Sequence, residues 1–202
     1  MTQKSPIFEK IYKDYLDEIS KTDLKAISKK LRIQTEGDSV IIPLFGKPYT
    51  VSGKGICDSS GNTPDHSFVV ILSKYLLMCP EDEPTADEWV SYKDFKDAAP
   101  FVGAFANNTE RPIAERFSGK PDSLRKACEN FGGVPLSAAL SYDLSVRFDA
   151  LPRVPMFLLF NDADDDFPAQ CNLLFEKRAE AYLDMECLAM VGMMLSDYLK
   201  RR

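Results

Sequence analysis

The sequence predicts an α+β fold: an antiparallel sheet that includes a C-terminal three-stranded meander, packed by N-terminal, central and C-terminal helices. Three observations carry this expectation. Residues 141–149, SYDLSVRFD, alternate strictly, with Tyr142, Leu144, Val146 and Phe148 on one side and polar residues on the other. Two further strand-like runs follow at once, the apolar PMFLLF and the alternating AQCNLLF. Helix-like segments are interspersed with strands without a regular β-α-β rhythm.

Ser5-Pro6 reads as a helix start, a hydroxyl cap before a proline that needs no amide hydrogen there. Ile7, Ile11, Tyr15 and Ile19 follow at helical spacing. Ser20 and Asp23 then form a second capping pair, so two short helices, or one bent helix, fill residues 6–31. Next, LRIQTEGDSVIIPLF predicts two strands around Glu36-Gly37-Asp38, and Pro43 marks the second as an edge strand. Another strand is expected near Tyr49–Ser52. Pro64 opens a helix that stops at Cys79-Pro80. An exposed acidic loop, PEDEPTADE, precedes WVSYKDF, a short strand. Helices are expected over 110–118 and 122–131, the latter ended by Gly132-Gly133. A last helix over 177–199 places Tyr182, Met185, Ala189, Met193 and Leu199 on an apolar stripe. We expect an N-terminal helical segment, 1–35, and a single α+β domain, 36–202.

The 202 residues are 45% hydrophobic and 28% charged, ordinary values for a globular chain. No run approaches the roughly 20 apolar residues of a membrane helix. The N-terminus is charged throughout, unlike a signal peptide, so the cytoplasm is expected and a membrane is not. Five dispersed cysteines include no Cys-x-x-Cys pair. The single histidine, His66, excludes two-histidine metal motifs within one chain. It falls in the first turn of a helix, where a surface or capping role is expected. No phosphate-cradling glycine loop and no Gly-x-Ser-x-Gly elbow is present.

The charge of −6 is concentrated: residues 161–186 hold eight acids and two bases, which accounts for all of it. That field argues against nucleic acid as a partner of this face. Its focus is NDADDDFPAQCNLLF, residues 161–175, with Asp162, Asp164, Asp165 and Asp166. Counted as an EF-hand from Asp162, the turn position is Phe167, not glycine, and the twelfth is Leu173, not glutamate, so that motif fails. What remains is a hairpin tip that serves as a polar turn, binds a cation or ligand, with Asp164 and Asp166 as weak metal candidates, or pairs carboxylates for acid–base work. Trp89 and Tyr92 suit either a flat-ligand pocket or the core. Asp143 and Arg147 share one strand face. Arg153, between two prolines, is a stiffly held charge or an ordinary turn residue.

The tail ALPRVPMFLLFNDADDDFPAQCNLLFEKRAEAYLDMECLAMVG resembles a domain-of-unknown-function family associated with anaerobic bacteria and archaea. The similarity lies in Leu151-Pro152 with Pro155, in Asp164-Asp165-Asp166-Phe167-Pro168-Ala169, in Leu174-Phe175-Glu176 and in Tyr182-Leu183. Trp89, Gly132-Gly133 and Asp143 are similar too, over about residues 40–195. Asp166 stands where the family pattern has glutamate, and Glu176 where it has aspartate. Some relatives carry a four-cysteine iron–sulfur module, which this chain lacks. The resemblance implies an anaerobe's cytoplasm, with redox or cofactor neighbours, and it makes the acidic tip a family feature.

The leading expectation is a non-catalytic domain that binds a ligand, cofactor or protein partner through the acidic hairpin, Trp89, Asp143 and Arg147. The alternatives are an enzyme using the same carboxylates for acid–base or cation-assisted chemistry, and a structural partner subunit. The residues leave any cofactor unidentified and the oligomeric state open.

Overall fold

The computed structural model describes residues 6–85, 88–136 and 142–201. Ser5, Ser141 and the 86–87 part of the acidic loop lie outside them. Helix α1, Pro6–Ser20, and helix α2, Leu24–Leu31, are separate. The break is chemical. Ser20 Oγ donates to the Asp17 carbonyl, while the Asp23 carboxylate accepts from the amides of Lys25 and Ala26, both at 3.0 Å. An aspartate in that place satisfies two of the donors a helix start leaves free.

Strands β1 (Gln34–Glu36), β2 (Ser39–Leu44), β3 (Lys47–Ser52) and β4 (Gly55–Cys57) form one antiparallel sheet in chain order. Gly37 turns the first hairpin at φ +60°, a conformation glycine adopts freely. The edge-strand expectation for Pro43 needs correction, because β2 lies inside the sheet. β1 pairs only as far as Ile41, so no β1 residue stands beside Pro43 to need its amide.

Helix α3, His66–Leu77, buries Val69, Ile71, Leu72, Tyr75 and Leu76. It lies against α1 and against the last helix, α7, Met185–Lys200. Strand β5 is shorter than WVSYKDF suggested, Trp89–Ser91, because Tyr92 turns inward. There its hydroxyl donates to the Met185 carbonyl at 2.6 Å and its ring stacks on Phe105. Helices α4 (Val102–Phe105) and α5 (Arg111–Phe117) join through a π turn, Ala106–Glu110. Pro112, which lacks the N–H of a continuing ladder, comes two residues after its end. Helix α6 spans Pro121–Asn130.

The second sheet contains β6 (Val134–Pro135), β7 (Leu144–Leu151), β8 (Val154–Asn161) and β9 (Gln170–Glu176), in the order β5-β9-β8-β7-β6, all antiparallel. The expected meander is β7-β8-β9. Leu144, Val146, Phe148, Met156, Leu158, Phe160, Leu173 and Phe175 form its buried face. The pairing of β7 with β8 slips between Asp149 and Leu151, and the Ala150 carbonyl accepts the Phe45 amide at 2.8 Å, tying the two sheets together.

The closing helix starts later than the pattern predicted. Residues Lys177–Ala181 form a 3-10 turn, and Asp184 caps α7 by accepting the Cys187 amide at 2.9 Å. Tyr182 therefore precedes the helix, and Met193 points outward. The single stripe fails because α7 touches α3, α4, α5 and α6 and is buried around most of its circumference.

Candidate functional site

The acidic run joins β8 to β9. Two of its aspartates, together with Asp143 from the segment ahead of β7, are spent on backbone amides. Asp164 Oδ1 accepts from Asp166 and Phe167 at 2.9 and 2.7 Å, and the Asp164 amide returns a bond to the Phe167 carbonyl. Asp162 Oδ1 accepts from Ala163 at 2.8 Å and from Gly119 at 2.7 Å, pinning the hairpin to the turn between α5 and α6. Asp143, just ahead of β7, accepts the Asp162 amide at 2.7 Å and donates its own amide to Asn161. Aspartate suits this role because its short side chain reaches amides one to three residues away.

What these bonds hold up is an exposed tip. Asp165 and Asp166 face solvent, and Phe167 is 64% exposed beside them. Next to the tip lies an open hollow of about 580 Å³, lined by Asp143, Asp162, Asp164, Phe167, Pro168 and Gln170. Among the described residues, no three His, Cys, Asp or Glu side chains converge as a metal centre requires. Asp164, one of the two weak metal candidates, already has Oδ1 engaged by two amides.

Trp89 and Arg147 lie elsewhere on the same sheet. Trp89 pairs with Glu176, six residues along β9 from Gln170, about 20 Å from the hairpin at 3.3–3.4 Å per residue. Its ring stacks on Phe157 at 3.7 Å. Arg147 pairs directly with Phe157 and bonds Asp149 through Nε and Nη2 at 3.3 and 3.2 Å. Trp89, Phe157, Arg147 and Asp149 thus share the outer face of the sheet. Asp143 stands four residues, about 13 Å, from Arg147. The candidates separate into an acidic end and an aromatic–guanidinium patch.

Two other residues singled out in the sequence have structural partners. His66 stacks against Phe8, ring centroids 4.1 Å apart. Arg153 is 4% exposed, and its guanidinium donates to the Lys30 carbonyl and to Glu83. Its amide donates to the Tyr75 hydroxyl, and burial pushes that phenol far above its ordinary value. Glu83 also faces Arg178 at 3.4 Å and the exposed Arg32 at 3.5 Å. Arg178 Nε in turn sits 2.5 Å from Glu176 Oε2, an ion pair outside hydrogen-bond alignment. Glu83 therefore anchors the acidic loop to the turn between β7 and β8 and to the 3-10 turn after β9.

Several residues were not among the site candidates read from the sequence. Phe167 carried a signal, a large apolar side chain inside an acidic turn. Gly119 carried none, since its partner is 43 residues away. Glu110 ends the π turn, and its Oε1 accepts the Leu173 amide at 3.0 Å beyond the end of β5. Burial raises its carboxyl above the ordinary range, against the lowering effect of that amide.

Fold and site define an α+β protein of two antiparallel sheets carrying an acidic hairpin braced by its own backbone. The chain belongs to the family described as "Domain of unknown function (DUF3786)", which it matches over residues 23–198. That span holds every candidate residue. Comparison with curated proteins and with solved structures finds no match.

Proposed function

We propose that the chain is a non-catalytic binding domain that docks a protein partner with a basic surface through the β8–β9 hairpin. The observation that carries this reading is Phe167, 64% exposed beside the solvent-facing Asp165 and Asp166 on a loop braced by three other aspartates. An aromatic anchor rimmed by charge is the anatomy of a binding hot spot. The bracing lowers the ordering cost of association. Catalysis would require the carboxylates to converge on a reacting atom, whereas Asp143, Asp162 and Asp164 each bond backbone amides. A reducing cytoplasm is the proposed setting, as the family resemblance implies for an anaerobe. The five free thiols, three of them buried, support it.

A second reading, a small ligand or substrate held in the hollow beside the tip, rests on the carboxylates that line it. Native mass spectrometry of protein isolated anaerobically from its own host, compared with the denatured mass, separates the two. The docking reading predicts a protein-sized addition that disappears in an Asp165→Asn, Asp166→Asn, Phe167→Ala variant. A small addition that survives this variant and disappears in Asp143→Asn supports the hollow. A bare chain, or a protein addition indifferent to the triple change, contradicts the docking reading.

A further inference from the structure

A second concave surface has the opposite charge. Where α5 ends, one face of α6 and the C-terminal end of α7 enclose a groove of about 500 Å³. Arg116, Lys120, Lys126, Lys200 and Arg201 line it, and no carboxylate is among the described residues that do. Its floor is apolar, with Phe117, Leu199 and Phe131, and Ser123 adds a hydroxyl. Lys200 is paired with Asp197 at 3.1 Å, and the Arg201 guanidinium lies over the Tyr198 ring. Among the described residues, Arg116, Lys120 and Lys126 have no carboxylate within ion-pair distance.

Three unpaired cations around one hollow repel one another, and an anion relieves that repulsion. A guanidinium supplies a planar fork for phosphate oxygens, and ammonium groups supply point charges. Phe131, itself stacked on Tyr198 at 5.0 Å, offers a half-buried ring at the same groove. The volume falls in the range of small-ligand pockets, about 300–1,000 Å³. We propose that this groove binds a phosphorylated small molecule with a flat ring, of the nucleotide class, its phosphates on Arg116, Lys120 and Lys126 and its ring against Phe131. The neighbourhood restricts the length of the anion. Gly119, adjacent to Lys120, is bonded to Asp162, so the acidic hairpin stands at the rim of the groove. A long polyanion leaving the groove there would run into the aspartates, whereas a compact phosphate ligand stops short of them.

Calorimetric titration of the full chain at low ionic strength, with ATP, pyrophosphate and adenosine as probes, tests this site. ATP is expected to bind, with adenosine weaker by at least about tenfold, because the cations recognise the phosphates. Lys120→Glu with Lys126→Glu should weaken ATP binding by a further factor of about ten or more, and Lys120→Arg with Lys126→Arg should retain it. An unchanged thermal midpoint shows that the reversed variant is folded. The proposal is overturned if ATP produces no heat of binding, if adenosine binds as tightly, or if the charge-reversed variant binds ATP unchanged. A single-stranded oligonucleotide that binds more tightly than ATP overturns it in favour of nucleic acid. The acidic hairpin is untouched in these variants, so the outcome is independent of the docking proposal.

Discussion

Asp164 shows how one side chain sets the shape of the hairpin. Its Oδ1 accepts both the Asp166 and Phe167 amides, and asparagine keeps an oxygen in that place while alanine does not. Asp164→Ala should therefore cost about 1 kcal/mol in denaturant unfolding, and Asp164→Asn much less. Asp165→Asn and Asp166→Asn should stay within about 0.5 kcal/mol of the parent, since both side chains are exposed. Glu110 gives a prediction with a definite sign. Burial holds its folded pKa above the ordinary 4.5, so the folded chain keeps that proton where the unfolded chain has lost it. The stability this proton contributes is full below 4.5 and is lost as pH rises through the folded value. Glu110→Gln keeps an acceptor for the Leu173 amide and removes the buried charge. Unfolding curves across pH should show the variant more stable at pH 7, with the gap closing toward pH 4. A gap that widens in acid would contradict the burial argument.

Elements add constraints that no single residue reveals. Helix α7 carries Gly192 where a Cβ would lie 2.5 Å from the Phe105 ring and 3.2 Å from Thr109 Cγ2. In an isolated helix, alanine is favoured over glycine by about 1 kcal/mol. Here Gly192→Ala should instead lower stability by about 1–3 kcal/mol, measured by thermal or denaturant unfolding. A stabilised variant would mean that Phe105 moves aside freely. The same helix marks the limit of what the pattern could disclose. The meander of β7, β8 and β9 was legible because period-two alternation survives wherever one sheet face is covered. The α1–α2 break was legible because Asp23 caps locally. The start of α7 was not, because a helix buried on nearly every side has no stripe to read, and its cap at Asp184 follows a 3-10 turn that continues the helical spacing. The π turn was hidden for a similar reason: it differs from an α-helix by a single residue of register. At the site, the acidic cluster stood out from composition, but its bracing depends on the Gly119 and Asp143 contacts, which only the tertiary fold creates.

The whole molecule separates its reactive groups by depth. Cys128, Cys171 and Cys187 are buried, and desolvation raises all three thiols, Cys128 to about 12. Cys57 and Cys79 are half-buried. A thiol reagent at neutral pH should label these two first and the other three only after unfolding, read by intact mass. Rapid labelling of all five in the folded chain would contradict the described core. The surface is divided as well, with an acidic tip and a cationic groove meeting at Gly119. The central claim is that the tip is a docking element. It is tested most directly by placing a photoreactive phenylalanine analogue at position 167 and irradiating living cells of the native host. The account predicts one discrete protein adduct, lost when Asp165→Asn and Asp166→Asn are added and kept when Lys120→Glu is added instead. No adduct, or an adduct insensitive to the two aspartates, would contradict it.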